Sequence, residues 1–157
     1  MTQRPGRPQV GVVFAISTEI GAPPGEVFAY LARLDQAPLW LSAVQAVERR
    51  DAEPVGRGTR ARFTRNIGGR LVENEVEVSE FEPNMTFALS SLTGPTPFVY
   101  RYRLDPSGDG TLLRLEGQIS GEGLAGPFAL FKPLAETFFK RGMAANLRTL
   151  KRLIEGA

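Results

Sequence analysis

The chain has 157 residues, a length typical of one domain that can bury a hydrophobic core of its own. Lysine and arginine total 19 against 17 aspartates and glutamates, so the net charge of +2 gives little reason to expect a nucleic-acid partner. Cysteine and histidine are both absent, which excludes disulfides, thiolate nucleophiles and the commonest metal ligand and general base.

The N-terminal residues are polar and rich in proline and glycine, so we expect residues 1–8 to form a disordered tail and residues 9–157 to form one domain. No segment has the apolar core of a signal peptide or the length of a membrane span. We therefore expect a cytoplasmic protein without integral membrane association. The sequence predicts no metal site and no cofactor, and it is compatible with a monomer or a homodimer.

The first predicted element is a strand over residues 10–20, because apolar residues occupy most of the even positions there. Two prolines follow and suit the first turn of a helix, in which apolar residues from Val27 to Leu34 recur at helical spacing. The pattern predicts two short helices that end near Pro38. The only tryptophan of the chain, Trp40, comes directly after them.

Residues 43–120 return to an alternation of apolar and polar positions, and turn sequences divide them into six predicted strands. Gly68–Gly69 is typical of a hairpin turn that needs positive φ angles. Between Val72 and Val78 the valines share one face with Asn74, while glutamates occupy the other face. Amphipathic neighbours joined by tight turns predict an antiparallel meander with one face toward water.

The last predicted element is a long helix from Gly126 to about Glu155, where apolar residues recur at helical spacing. The order of elements is typical of an α+β fold in which a seven-stranded sheet has a single face to bury. The final helix must cover that face. A curved sheet wrapped around one helix leaves a space between them, which either fills as core or stays open as a pocket.

In four motifs the sequence resembles members of the START-like superfamily, also known as the helix-grip or birch-pollen-allergen fold. Within that superfamily it resembles most the bacterial polyketide cyclase/dehydrase and lipid-transport branch. The motifs are I-x-A-P-P-x-x-V-F-x-Y-L at residues 20–31, D-x-x-P-x-W at 35–40, G-x-G-T-R at 56–60 and V-S-E-F-E-P at 78–83. The resemblance covers residues 10–155 and implies a curved seven-stranded antiparallel sheet around a long C-terminal helix. Members include cyclases, hydrophobic-ligand carriers and hormone receptors, so fold alone does not imply function.

The predicted cavity between sheet and helix is where we expect a small hydrophobic molecule to bind. Strand faces show which residues lie together, but they do not show which face bends toward the helix. A lone tryptophan such as Trp40 more often seals a core than lines a site. The residues expected to contact the ligand are Trp40, Phe63, Arg65, Asn74, Val76, Phe87, Leu89, Tyr100, Tyr102, Leu115, Phe128, Phe131, Ala135 and Phe138.

Four polar residues are candidates for catalysis, because no histidine is present to move protons. Tyr100 and Tyr102 would donate hydrogen bonds to a ligand carbonyl or polarise an enol, unless they are core tyrosines. Asn74 lies on an apolar face, where an amide needs a partner or a ligand. Arg65 would anchor a carboxylate or carbonyl if it points inward, or lie at a rim in water, which is the commoner place for arginine.

Three functions fit this sequence. The first is a carrier or sensor of a hydrophobic or aromatic ligand, with apolar walls providing most of the affinity. The second is a metal-free cyclase or dehydratase that acts on a polyketide-like substrate in the same cavity. The third is a module that docks on a membrane or a partner protein through an exposed sheet edge or through the basic residues of the last helix, Lys140, Arg141, Arg148, Lys151 and Arg152.

Overall fold

A computed structural model describes residues 11–120 and 132–156 of the chain. The predicted N-terminal tail, residues 1–8, lies outside the described residues. The described residues form three helical segments: α1 (Pro24–Leu31), a 3₁₀ helix (Leu34–Leu39) and α2 (Lys132–Glu155). The strands are β1 (Gly11–Ile20), β2 (Val44–Arg49), β3 (Arg60–Ile67), β4 (Arg70–Glu82), β5 (Thr86–Ser91), β6 (Phe98–Ser107) and β7 (Gly110–Ser120).

The strands form one curved sheet in the order β1-β7-β6-β5-β4-β3-β2, and every neighbouring pair is antiparallel. Strands β2 to β7 are a continuous meander, and β1 returns to pair with β7. The predicted architecture, with seven antiparallel strands, two short helices after the first strand and a long helix after the last, is confirmed.

The β3–β4 hairpin shows how local sequence fixes the register. Gly68 and Gly69 both have positive φ angles, +62° and +86°, which suit the twist of a two-residue hairpin turn and which only glycine adopts without strain. The Asn66 side chain accepts a hydrogen bond of 2.8 Å from the Gly69 N–H. This turn pairs Phe63 with Asn74 and so sets which residues of the two strands lie side by side.

The two faces of the sheet differ as the alternation predicts. On the inner face Val76, Val78 and Leu113 are fully buried. On the outer face opposite charges meet across strands, for example Arg60 with Glu77 at 3.3 Å and Arg101 with Glu80 at 2.5 Å. Such exposed pairs contribute only about 0.2–1 kcal/mol each, so they favour the correct register more than they stabilise the fold.

Helix α2 is held firmly at its C-terminal end, where Leu147, Leu150 and Ile154 are buried against the sheet. Glu155 accepts a hydrogen bond of 2.7 Å from the Gly21 N–H, and Lys151 donates one of 2.7 Å to the Glu19 carbonyl. The first described side chains of the helix, from residue 136 to residue 142, are exposed except for Phe139. The helix therefore covers one end of the sheet closely and leaves space at the other.

The closely covered end is filled by aromatic rings. Phe28 meets the rings of Phe81 and Phe87 edge-on, at 5.1 and 6.1 Å between centroids. Trp40 lies edge-on to Tyr102 at 5.9 Å. Aromatic pairs at these distances contribute beyond their buried area. The tryptophan that follows the short helices therefore seals the core at this end.

Candidate functional site

A cavity of about 750 Å³ lies at the other end, between the N-terminal half of α2 and strands β2, β3 and β6. Its volume falls within the range of small-molecule sites, about 300–1,000 Å³. Its walls are mostly apolar. The lining residues are Leu41, Ser42, Ala43, Val44, Gln45, Phe63, Arg65, Asn66, Ile67, Gly68, Phe98, Tyr100, Thr137, Phe138, Phe139, Arg141, Gly142, Met143 and Asn146.

Arg65 is the charged group inside this cavity. Its side chain points inward from β3, as does that of Phe63 two residues before it, and it is only 3% exposed. Nε donates a hydrogen bond of 3.0 Å to Asn74 Oδ1. Nη2 donates to the Thr96 hydroxyl and carbonyl at 2.7 and 2.9 Å, and to the Pro95 carbonyl at 3.3 Å. Burial lowers the pKa of this guanidinium from its ordinary value, and the nearby Tyr100 opposes that shift in part.

Asn74 supports Arg65 instead of lining the cavity. Its amide nitrogen donates to two carbonyls of the β5–β6 loop, those of Thr93 and Pro95, both at 2.9 Å. Its amide oxygen is therefore directed at the guanidinium. The inward polar residue on β4 is thus satisfied by its neighbours and fixes the orientation of the arginine on β3.

Tyr100 lines the same cavity and interacts electrostatically with Arg65. Its ring stacks on Phe98 at 4.8 Å, and the Arg65 Cζ lies 4.5 Å from the Phe98 ring centroid on a cation–π contact. The Tyr100 hydroxyl makes no hydrogen bond to the described residues and lines the cavity. Burial raises the pKa of this phenol, although Arg65 opposes the shift, so it remains a hydrogen-bond donor at neutral pH.

Asn146 on α2 supplies a polar group on the wall opposite the sheet, and the sequence interpretation missed it. Its Oδ1 accepts from the Ser42 N–H at 3.2 Å, while Nδ2 donates to the Met143 sulfur at 3.3 Å. Thioether sulfur is a weak acceptor, so the amide retains donor capacity toward a ligand. The sequence signal for Asn146 was the same as for Asn74, namely an amide on an otherwise apolar face, and Asn146 directly precedes the apolar Leu147.

The structure separates the predicted ligand-binding residues into three groups. Phe63, Arg65, Tyr100 and Phe138 line the cavity. Phe128, Phe131 and the side chain of Ala135 lie outside the described residues. The other seven are buried away from the cavity: Trp40, Asn74, Val76, Phe87, Leu89, Tyr102 and Leu115. Aromatic rings fill the far end of the interior, and the β5–β6 loop encloses Asn74.

Tyr102 illustrates the difference, although it shares a strand face with Tyr100. It is 0% exposed, and its hydroxyl has no hydrogen-bond partner among the described residues. Burial raises the pKa of this phenol well above its ordinary value, and Tyr100 adds to the shift. A buried donor without a partner destabilises the fold and is poorly placed to reach a ligand in the cavity.

We expect Tyr102→Phe to raise the free energy of unfolding by about 1 kcal/mol, because it removes an unsatisfied buried hydroxyl and keeps the ring packed. Urea unfolding followed by tryptophan fluorescence measures this change. Tyr100→Phe is the matched control, with a hydroxyl that faces the cavity, and its stability should equal that of the parent. A loss of stability in Tyr102→Phe would show that the hydroxyl has a partner, such as an internal water.

The cavity is poor in groups that move protons. Among the described residues its titratable lining groups are Arg65, Tyr100 and Arg141, and none of them is a proton acceptor at neutral pH. In that part of the chain no three acidic side chains cluster closely enough to hold a metal ion. None of the described helices is both long and apolar enough to span a bilayer.

The family model described as polyketide cyclase / dehydrase and lipid transport matches residues 12–155. No curated protein matches the sequence. Among solved structures, a START superfamily protein from Mycobacterium smegmatis is similar with a TM-score of 0.77 and 16% identity, over 92% of this chain and 97% of that one.

Two further solved structures are similar at comparable coverage. A protein of Thermus thermophilus gives a TM-score of 0.75 and 21% identity over 90% of this chain and 96% of that one. The Zhui aromatase/cyclase from Streptomyces sp. R1128 gives a TM-score of 0.71 and 19% identity over 92% of this chain and 94% of that one. At these identities the likeness establishes the fold alone.

Proposed function

The chain belongs to the family described as polyketide cyclase / dehydrase and lipid transport, and from that premise we propose that it binds one small hydrophobic or aromatic molecule in the cavity, as a carrier or sensor. Family and fold support a hydrophobic ligand-binding or cyclase-like role. The proposal includes a cytoplasmic location, a single domain over residues 9–157, no nucleic-acid partner and a monomer or homodimer.

The composition of the cavity wall carries this proposal. Apolar side chains such as Phe63, Phe139 and Met143 would supply most of the affinity, at about 25 cal/mol per Å² of apolar surface removed from water. Arg65, Tyr100 and Asn146 would set the orientation of the ligand. Binding requires only these features, whereas proton transfer requires an acceptor that the described part of the wall does not supply.

The second candidate is a metal-free cyclase or dehydratase on a polyketide-like substrate. Two observations favour it: the structural similarity to an aromatase/cyclase, and the presence in one cavity wall of Tyr100 and Arg65, which interact electrostatically. In this version Tyr100 would donate a proton or hydrogen bond to a substrate carbonyl, while Arg65 would stabilise the negative charge of the enolate.

The docking module is the weakest candidate. Of the five basic residues that suggested it, Lys151 is engaged with Glu155 and with the Glu19 carbonyl, and Arg152 donates to the Thr149 hydroxyl. These contacts hold α2 in place. Lys140, Arg141 and Arg148 are exposed, which is typical of a solvated helix face.

Titration with a neutral fluorescent probe, N-phenyl-1-naphthylamine, tests binding. We expect fluorescence enhancement that saturates at one probe per chain, because the cavity of about 750 Å³ has mostly apolar walls and suits one molecule of this size. Met85→Ser is the control, since Met85 is exposed and outside the cavity lining, and the variant should bind the probe as the parent does. No saturable binding would refute the proposal.

Turnover separates the carrier from the enzyme. A poly-β-ketone thioester mimic incubated with the protein should be recovered unchanged by mass spectrometry, and Tyr100→Phe should alter only its affinity. Faster cyclisation or dehydration than in buffer, lost in Tyr100→Phe, would favour the cyclase over the carrier.

A further inference from the structure

We propose that the natural ligand is an organic anion whose single carboxylate lies against the Arg65 guanidinium, with its apolar body in the rest of the cavity. This inference rests on the proposed ligand-binding function and specifies its chemical class. It follows from the charge of one side chain, from the atoms that surround it and from the way in which they hold it.

The positive charge of Arg65 is buried without a negative partner. Its four acceptors in the described part of the chain are an amide oxygen, two backbone carbonyls and a hydroxyl, all of them neutral. Its remaining electrostatic neighbour is Tyr100, a phenol that stays protonated at neutral pH. A buried charge destabilises a protein by several kcal/mol unless an opposite charge compensates it. The protein therefore maintains a charge that its own described groups do not neutralise.

The guanidinium also keeps a free donor edge. Nε and Nη2 are used by protein acceptors, whereas Nη1 has no hydrogen-bond partner among the described residues. Arg65 and Tyr100 both line the cavity and interact electrostatically, and the Tyr100 hydroxyl is a second donor without a described partner. Two donors and one positive charge form a site for an oxygen anion, because charge-assisted hydrogen bonds are about twice as strong as neutral ones.

The surroundings hold the guanidinium in a fixed position. Thr96, which accepts from Arg65 through two oxygens, has a φ of +49°, a strained conformation for a β-branched residue. Gly94 in the same loop has a φ of +98°. Asn74 connects this loop to the guanidinium. Strained residues cluster at binding and active sites, so the conformation of Thr96 agrees with a site at Arg65.

The rest of the cavity wall also favours a negatively charged ligand. The second charged lining residue of the described chain, Arg141 on α2, is also basic. It is exposed, at the side of the cavity open to water. Two positive groups and no carboxylate in the described lining create a positive potential that attracts anions and disfavours amines.

Displacement of N-phenyl-1-naphthylamine by decanoic acid, methyl decanoate and decylamine tests the inference at pH 7.5. The three compounds share one apolar chain and differ in charge. We expect the acid to displace the probe at concentrations about tenfold or more below those of the ester, which corresponds to one hydrogen-bonded charge pair. The amine should be weaker than both.

Two variants test whether Arg65 is the group responsible for the preference for the acid over the ester. In Arg65→Met the preference for acid over ester should fall below about twofold, because the anion loses its partner while the apolar walls remain. In Arg148→Gln the preference should persist, because Arg148 is exposed on α2 and lies outside the cavity lining. Should Arg65→Met fail to fold, Arg65→Lys replaces it: a lysine lacks the guanidinium's planar fork and should show a reduced but measurable preference.

The outcomes separate the two proposals. Equal displacement by acid and ester in the parent protein would overturn the anion assignment and leave the hydrophobic carrier intact. An acid preference that survives in Arg65→Met would also overturn it, because another group would then hold the carboxylate. Failure of the probe itself to bind would instead refute the proposed function.

Discussion

Replacing Gly142 with phenylalanine is expected to weaken binding of the neutral probe by about tenfold or more while the fold stays as stable as in the parent. Gly142 lines the cavity on α2, and a Cβ placed there has no heavy atom within 4 Å. A phenylalanine ring would therefore enter space that the ligand is proposed to occupy. Glycine in a helix is about 0.5–1 kcal/mol less favourable than alanine, so the substitution carries no backbone penalty.

Gly142→Ala is the matched control for this prediction. It should raise the free energy of unfolding by about 0.5–1 kcal/mol and leave probe binding unchanged, since a methyl group takes little of the cavity. Urea unfolding and probe titration of the three proteins give both quantities. Unchanged binding by the phenylalanine variant would place the ligand somewhere other than between α2 and the sheet.

Replacing Gly94 with alanine is expected to lower the free energy of unfolding by about 3 kcal/mol, through two separate causes. The new Cβ would overlap the carbonyl oxygen of Glu73 and lie 2.6 Å from Asn74 Nδ2, both of which belong to β4. The φ of +98° would in addition strain any residue other than glycine. The β5–β6 loop would have to leave its position, and Arg65 would lose acceptors with it.

Gly56→Ala serves for comparison, because a Cβ at Gly56 meets no heavy atom within 4 Å. The free energy of unfolding of this variant should differ from that of the parent by less than about 0.5 kcal/mol. Denaturant midpoints measure both variants. We also expect residual Gly94→Ala protein to lose its preference for decanoic acid over the ester. A Gly94→Ala variant as stable as the parent would mean that the loop tolerates a side chain, and it would remove the argument that a strained loop holds Arg65.

The fold was predictable because its signals are local. Alternation between Val72 and Val78, the Gly68–Gly69 turn and the helical spacing of the last segment each specify an element from neighbouring residues, and tight turns leave few topologies. The sequence placed Asn74 and Arg65 on the apolar faces of their strands, but it favoured a rim position in water for Arg65, whereas the structure buries it.

The sequence did not show which end of the interior is filled by side chains and which end is left open as a cavity. Tyr100 and Tyr102 share one face of β6, yet one lines the cavity and the other is enclosed beside Trp40. Their difference depends on where α2 lies close to the sheet and where it stands away, which is a property of tertiary packing. Asn146 was missed for a simpler reason: an amide within an apolar helix stripe carries the same signal as Asn74, and the interpretation applied it only to the strand.

The attachment of α2 at one end only has a consequence for how such a scaffold diversifies. Along α2, Leu150 and Ile154 are buried in the core, whereas Gly142 and Asn146 line the cavity. Substitutions at exposed positions of α2 that line the cavity, such as Gly142, would therefore change the cavity with little effect on stability. A START superfamily protein from Mycobacterium smegmatis that is only 16% identical has the same fold, so this backbone tolerates extensive substitution.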